Sequence, residues 1–230
     1  MFENEKPIAK DRLNDQVYDR LCSLLRRGEF TPGERVPVAL ISKAFGVSAM
    51  PVREALAQLL AVGVLANVSG RSVGVPILTR DELEDLRDVR LQVETTAVRW
   101  AVANSTKEFI QTLNQLLGRL LDAEESRDRG AYIKYNYEFH FSVYRHAGSR
   151  VLLDIIDTLW LRVSPHLYNM SRRDIYRISN VEHHKLVDAI ANGDEDAAVE
   201  ALVADVSVAY EDLIATLDED EASRSSELAG

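Results

Sequence analysis

Gly46-Val47-Ser48-Ala49-Met50-Pro51-Val52-Arg53-Glu54-Ala55-Leu56 is the stretch whose reading decides the fold. Gly46 suits the left-handed residue that ends one helix. Ser48 is a residue type that caps the next, and Pro51 falls in that helix's first turn, where no hydrogen-bonded amide is lost. The pattern predicts a helix over 38–45 and a second over 49–62, joined by a very tight turn. Ala55, Leu56, Leu59 and Leu60 share one face of the second helix, and Arg53 lies on the other. This is the outline of a helix-turn-helix whose second member enters the DNA major groove.

Upstream, Leu13, Val17, Leu21, Leu24 and Leu25 recur at helical spacing and predict a helix over 14–27, followed by a turn at Thr31-Pro32-Gly33-Glu34. Downstream, 64–68 and 73–77 are rich in β-formers and flank Ser69-Gly70-Arg71-Ser72, which reads as a short hairpin or wing. Residues 11–78 thus make a winged helix-turn-helix, preceded by a flexible arm over 1–10. Thr79 is a good N-cap ahead of Asp81 and Glu82, and the pattern beyond it stays helical. Helices are expected near 80–103, 107–128, 131–146, 149–171, 174–192 and 194–217. Breaks fall at Asn104-Ser105, Gly130, Gly148, Arg172-Arg173 and Gly193. The fold class is therefore mainly α, a winged helix-turn-helix followed by an all-α antiparallel bundle of about six helices over 79–217. The acidic, Ser-rich tail 218–230 has few apolar residues to bury and reads as disordered.

The net charge of −10 argues at first against nucleic acid, but it is unevenly spread. Residues 1–79 hold ten basic and eight acidic side chains, +2, whereas the remainder holds 17 against 29, −12. Only the first region suits DNA. The single cysteine, Cys22, lies on the apolar side of a helix and reads as core, with no disulfide framework or thiolate metal site. The polar N-terminus and the absence of a long apolar run leave the cytoplasm as the expected location, with no membrane partner.

Val17-Tyr18-Asp19-Arg20-Leu21, Gly28, Pro32-Gly33-Glu34-Arg35, Gly46-Val47-Ser48 and Pro51-Val52-Arg53-Glu54-Ala55-Leu56 occur in the order that marks the GntR family of bacterial transcription regulators, which the first region closely resembles. Ala49 stands where the family usually has Arg, and Val38 and Ala39 where acidic residues or Arg are usual, so base reading is expected to differ. The second region resembles the FCD ligand-binding domain of the FadR branch, with six helices as in the VanR-like subgroup. The residues that carry this are Arg90 with Glu94, Asn136-Tyr137-Glu138-Phe139-His140, the stretch from His183 to Ile190, and Gly193-Asp194 leading to Ala197-Ala198.

Asn136 and His140 are four apart on one helix and project from the same face. The resemblance implies a divalent metal inside the bundle, on an Asp four residues before a first His and on three His from different helices. Carried over by position, the ligands are Asn136, His140, His183 and Asp205. Asn136 replaces the Asp and Asp205 the third His, which moves one carboxylate to another helix and leaves an oxygen and nitrogen set suited to Zn, Ni or Mn. The bland reading is a hydrogen-bonded cluster of buried polar groups. His146, His166 and His184 are expected at the surface or an interface.

Arg90 and Arg162 sit within apolar helical stretches and are the candidates to hold a small organic acid beside the metal. For Arg90 an ion pair with Glu94 is equally compatible with the spacing. Tyr135, Tyr137, Tyr144 and Trp160 could line the cavity or be core. On the DNA side the candidates are Arg35, Ser48, Met50, Arg53 and Arg71. The expected protein is a homodimeric, ligand-responsive regulator, a repressor of operator DNA. The alternatives are a metal-dependent hydrolase or lyase using His140 and His183, and a regulator that has lost its metal.

Overall fold

The computed structural model describes residues 12–70, 72–167 and 175–228. The arm 1–10, Arg71 and the expected break at Arg172-Arg173 lie outside the described residues. The first part contains α1 (Arg12–Arg26), α2 (Val38–Phe45), α3 (Ala49–Ala61), β1 (Ala66–Ser69) and β2 (Ser72–Gly74). The second contains α4 (Arg80–Ala103), α5 (Lys107–Glu125), α6 (Arg129–His146), α7 (Arg150–Leu167), α8 (Ile175–Asn192) and α9 (Glu195–Leu228).

The α2–α3 turn forms as its residues dictate. Gly46 adopts φ 68°, and its N–H closes onto the Ser42 carbonyl. Ser48 occupies the N-cap position in an extended conformation, but its side chain makes no capping hydrogen bond, contrary to the sequence reading. The cause lies in the same stretch: Pro51 sits third in the helix and has no N–H for a Ser48 hydroxyl to accept from. Preset φ replaces the cap. Leu56, Leu59, Ala55 and Val52 of α3 then pack against Val17, Leu21, Cys22 and Leu25 of α1, with Ile41 of α2 closing the cluster.

The wing differs from the expected hairpin in its bounds. β1 and β2 pair antiparallel with Ala66 opposite Gly74 and Asn67 opposite Val73, and the register shifts between Asn67 and Ser69. Val64 and Leu65 do not join β1 because both amides donate to the Leu59 carbonyl at the end of α3, at 3.0 and 3.2 Å. Their side chains enter the core. Val75 donates instead to Glu34 and accepts from Gly33, at 3.0 and 2.9 Å, so the chain before α2 lies alongside the wing. That approach requires a glycine at 74, where a Cβ would sit 2.3 Å from the Glu34 carbonyl oxygen.

A capping box of Thr79 and Glu82 starts α4. The six helices α4–α9 surround a second core built from residues such as Leu113, Phe139, Tyr144, Ile156, Ile190, Leu202 and Tyr210. Helix α9 packs on α4 and α8, and α5 on α6. The expected disordered tail is corrected in part: α9 continues to Leu228. Its acidic run 218–221 and the residues beyond contain no Pro or Gly before 230 and several good helix formers, so nothing in the chain stops the helix where burial ends.

Helix α7 serves both cores. Ile156, Trp160 and Val163 face the bundle, while Leu161 is buried among the residues of the winged helix. Among the described residues no helix is long and apolar enough to cross a membrane.

Candidate functional site

His140 on α6, His183 on α8 and Asp205 on α9 meet inside the bundle, 1%, 0% and 7% exposed. The two Nε2 atoms are 3.2 Å apart, and the Asp205 oxygens lie 3.2 Å from His140 Nε2 and 3.5 Å from His183 Nε2. Each side chain offers a ligand atom within 4.8 Å of the others.

The surrounding hydrogen bonds orient both rings. Tyr144 donates to the Glu94 carboxylate at 2.5 Å, so its oxygen is left to accept from His140 Nδ1 at 3.3 Å. Asn180 Nδ2 donates to Glu124 at 2.6 Å, which turns Asn180 Oδ1 toward His183 Nδ1 at 3.3 Å. With Nδ1 of each imidazole directed at these partners, Nε2 of each faces the carboxylate. Two imidazole nitrogens and a carboxylate converge. Such a cluster is held together by shared protons or by a cation, and a divalent ion fits the oxygen and nitrogen donors.

Burial holds His140 below the ordinary imidazole pKa, against the raising effect of Asp205, which favours the neutral ligand form. Burial alone would push the Asp205 carboxyl up. Its proximity to His183 and the contacts with both imidazoles outweigh that and hold it well below the usual carboxylate range.

Behind this cluster stands a buried carboxylate hub. Glu94 accepts from Arg90 Nε at 2.6 Å and Nη2 at 3.3 Å, from Trp160 Nε1 at 3.0 Å and from Tyr144. Arg90 also reaches the Tyr210 hydroxyl at 3.4 Å and lies 4.6 Å from the Trp160 ring centroid. Burial works to strip the Arg90 proton, but Glu94 outweighs it and holds the guanidinium charged. The ion-pair reading of Arg90 is thus the one realised, although the residue also borders the cavity.

That cavity lies beside the cluster, lined by Arg26, Asn136, Tyr137, His140, Trp160 and Asp205 among others. Its volume is ≈ 50 Å³. At about 10–15 Å³ per water it admits an ion and a few waters. Asn136 reaches the wall on the same face as His140, in keeping with their spacing. Arg162 does not line the cavity: its guanidinium lies 3.9 Å from where a Gly63 side chain would begin, against the winged helix. Two places along from Trp160 on a helix is a different face, so an apolar neighbourhood in sequence did not mean the same pocket. Tyr137 and Trp160 line the wall, Tyr144 supports His140 from behind, and Tyr135 is half-buried elsewhere. His184 is exposed, His146 is half-buried and stacks on Phe109, and His166 is buried, contrary to expectation, its pKa pushed down to about 4 by burial.

Sequence reasoning missed Glu124, Asn180, Asp157 and Arg26. Asn180 could have been found three residues before His183 on the same helix. Arg26 and Asp157 are brought together from 131 positions apart, which no local pattern reveals.

On the opposite end, Arg35, Ser48, Met50 and Arg53 are all exposed. Arg35 donates to the Ser69 hydroxyl at 2.8 Å, which ties the segment before α2 to the wing tip. A shallow groove between α3 and the wing is bordered by Arg35, Arg53, Leu56, Leu60, Ser72 and Val73. Arg71 lies outside the described residues.

Two protein families match the chain: "Bacterial regulatory proteins, gntR family" over residues 13–75 and "FCD domain" over 85–207. The chain is 31% identical over 153 residues to the HTH-type transcriptional regulator McbR of Escherichia coli K12, spanning 66% of this chain and 69% of that protein. The structure of E. coli McbR superposes with a TM-score of 0.80 at 28% identity, covering 91% of this chain and 98% of that one. The HTH-type transcriptional repressor NanR of Enterobacter sp. 638 is 28% identical over 221 residues, 86% of this chain and 84% of its own length. A GntR regulator from Rhodococcus sp. RHA1 shares the fold, at 21% identity and TM-score 0.74 over 90% of this chain and 99% of that one. These relatives are transcription regulators, which sets the hydrolase or lyase alternative aside. The chain belongs to the GntR family of bacterial regulatory proteins, in the FadR branch that joins the winged helix to an FCD domain, and is a DNA-binding transcription regulator.

Proposed function

We propose that the chain is a homodimeric repressor whose affinity for operator DNA is changed by a small carboxylate bound in the helical bundle beside a divalent metal. The observation that carries this reading is the convergence of His140, His183 and Asp205 beside a cavity walled in part by α7, the helix that also enters the core of the winged helix. His140, His183 and Asp205 would hold the ion, with Asn136 on the cavity wall as a fourth oxygen. Bound there, a divalent cation supplies the positive charge that draws a carboxylate out of water. Zn, Ni and Mn all suit the donor set. Arg90 contributes through Glu94 and Tyr144 rather than by a free fork.

We place the DNA unit at 11–78 and the sensing and dimerising unit at 79–217. Arg35, Ser48, Met50, Arg53 and Arg71 form the DNA face. Arg53 would reach a guanine edge or a phosphate, Met50 a thymine methyl, and Ser48 with the start of α3 a phosphate. One such unit covers a short half-site, so two copies on a pseudo-palindrome are required for tight binding. The relative NanR is named a repressor, which favours repression here. A cytoplasmic location follows from the role.

A duplex selected by the intact protein from a randomised pool should bind with strong salt dependence. Arg53→Ala should weaken it by about 1–3 kcal/mol, roughly 5- to 160-fold, in fluorescence anisotropy at moderate salt. Enrichment of no sequence would overturn the reading.

A further inference from the structure

Arg26 is the last residue of α1 in the winged helix, yet it forms part of the wall of the bundle cavity. One nitrogen, Nη2, donates to both oxygens of Asp157 on α7, at 2.8 and 2.7 Å. Tyr137 donates to the same carboxylate at 3.1 Å, and its ring lies 5.1 Å from the guanidinium. Because a single nitrogen takes both Asp157 oxygens, the rest of the fork is not used by that pair. Its Nε is buried and has no partner among the described residues. An unmet buried N–H is costly, and a guanidinium N–H most of all.

The other cation in the wall offers no such donor, since Arg90 is engaged by Glu94 and Tyr210. Arg162 also has a buried unpartnered Nε, but it is not in the wall. With a divalent ion against Asp205, and with the pairs Arg26–Asp157 and Arg90–Glu94 neutral, the cavity carries a single excess positive charge. It is therefore matched to one negative charge.

We propose, resting on the reading of the cavity as an effector site, that Arg26 belongs to that site: it donates from the DNA-binding unit to an oxygen of a bound monoanionic carboxylic acid. The acid is then held by both parts of the chain at once. Occupancy changes the environment of the ion pair that links the end of α1 to α7, next to the place where Leu161 enters the winged-helix core. A ligand that binds one placement of the two parts better than another shifts the population toward it.

Trp160 lines the cavity, and Trp100 is the only other tryptophan, so Trp100→Phe leaves a single reporter at the site. In that background, zinc-loaded protein is titrated with acetate, lactate, pyruvate, benzoate, succinate and citrate, following Trp160 fluorescence, with Arg26→Met and Asp157→Asn alongside. Thermal melts verify that both variants fold. Monoanions should bind more tightly than succinate or citrate. Arg26→Met should weaken the best of them at least about tenfold, as loss of a hydrogen bond to a charged group does. Asp157→Asn, which frees the guanidinium, should leave that acid's affinity equal or tighter.

Unchanged affinity in Arg26→Met overturns the proposal and leaves the effector site standing. Equal weakening in both variants also overturns it, because the residue then acts only through the ion pair. Binding of none of the acids by the zinc-loaded parent overturns the effector site and this proposal together.

Discussion

Glu94→Ala is expected to lower the unfolding free energy by about 3–5 kcal/mol, the scale for breaking a buried ion pair from one side. Glu94 and Arg90 are 0% and 3% exposed, so the Arg90 charge would be left inside the bundle at the cavity wall, with the Tyr210 hydroxyl and the Trp160 and Tyr210 rings around it. Tyr144 and Trp160 would lose their acceptor at the same time. Urea unfolding of parent and variant measures the loss. A change below about 1 kcal/mol would mean that water replaces the carboxylate and that the hub is not a dry network. Glu94→Gln keeps an acceptor and the volume, and should fall between parent and Ala.

The same substitution reaches the His cluster. With Glu94 gone, Tyr144 is free to donate to His140 Nδ1, which would move the His140 proton to Nε2 and block it as a ligand. Loss of such an outer partner typically weakens metal binding about 10- to 100-fold.

The second large effect is at the cluster itself. Protein purified without chelator should carry about one divalent ion per chain, whereas His140→Ala should carry almost none, because each structural ion needs its full donor set. Metal bound at 100 times its Kd raises stability by about 2.7 kcal/mol through mass action. The parent should therefore melt higher with zinc than with chelator, and His140→Ala should melt at one temperature in both. Elemental analysis and paired melts provide the check. Neither metal nor a shift in the parent would mean that the exchange of an Asp for Asn136 and of a His for Asp205 has cost the site its ion. Asp205 would then be held by a protonated imidazole.

The fold was legible where local chemistry decides the backbone. Gly46 and Pro51 fix the helix-turn-helix, and Thr79 with Glu82 fixes the start of α4. The wing was displaced by two residues because Val64 and Leu65 bond back to Leu59, a tertiary choice that β propensity does not encode. His140 and Asn136 share a face by spacing, and the family likeness supplied His183 and Asp205. The gathering of His140, His183 and Asp205 within 4.8 Å is a product of packing among α6, α8 and α9. Arg162 has the apolar neighbours of a cavity residue yet packs elsewhere, because periodicity does not determine against which partner a face packs. Nor does a basic residue at a helix end, such as Arg26, reveal in the sequence which distant carboxylate or cavity it will meet.

The central claim is that the bundle cavity governs DNA binding. Its most direct test is the operator affinity of the zinc-loaded protein, by anisotropy on the selected duplex, with and without whichever acid most raises the melting temperature. The account predicts at least a tenfold change in Kd for the parent and none for His140→Ala. An acid that binds the parent at the cavity and leaves its operator affinity unchanged would contradict it.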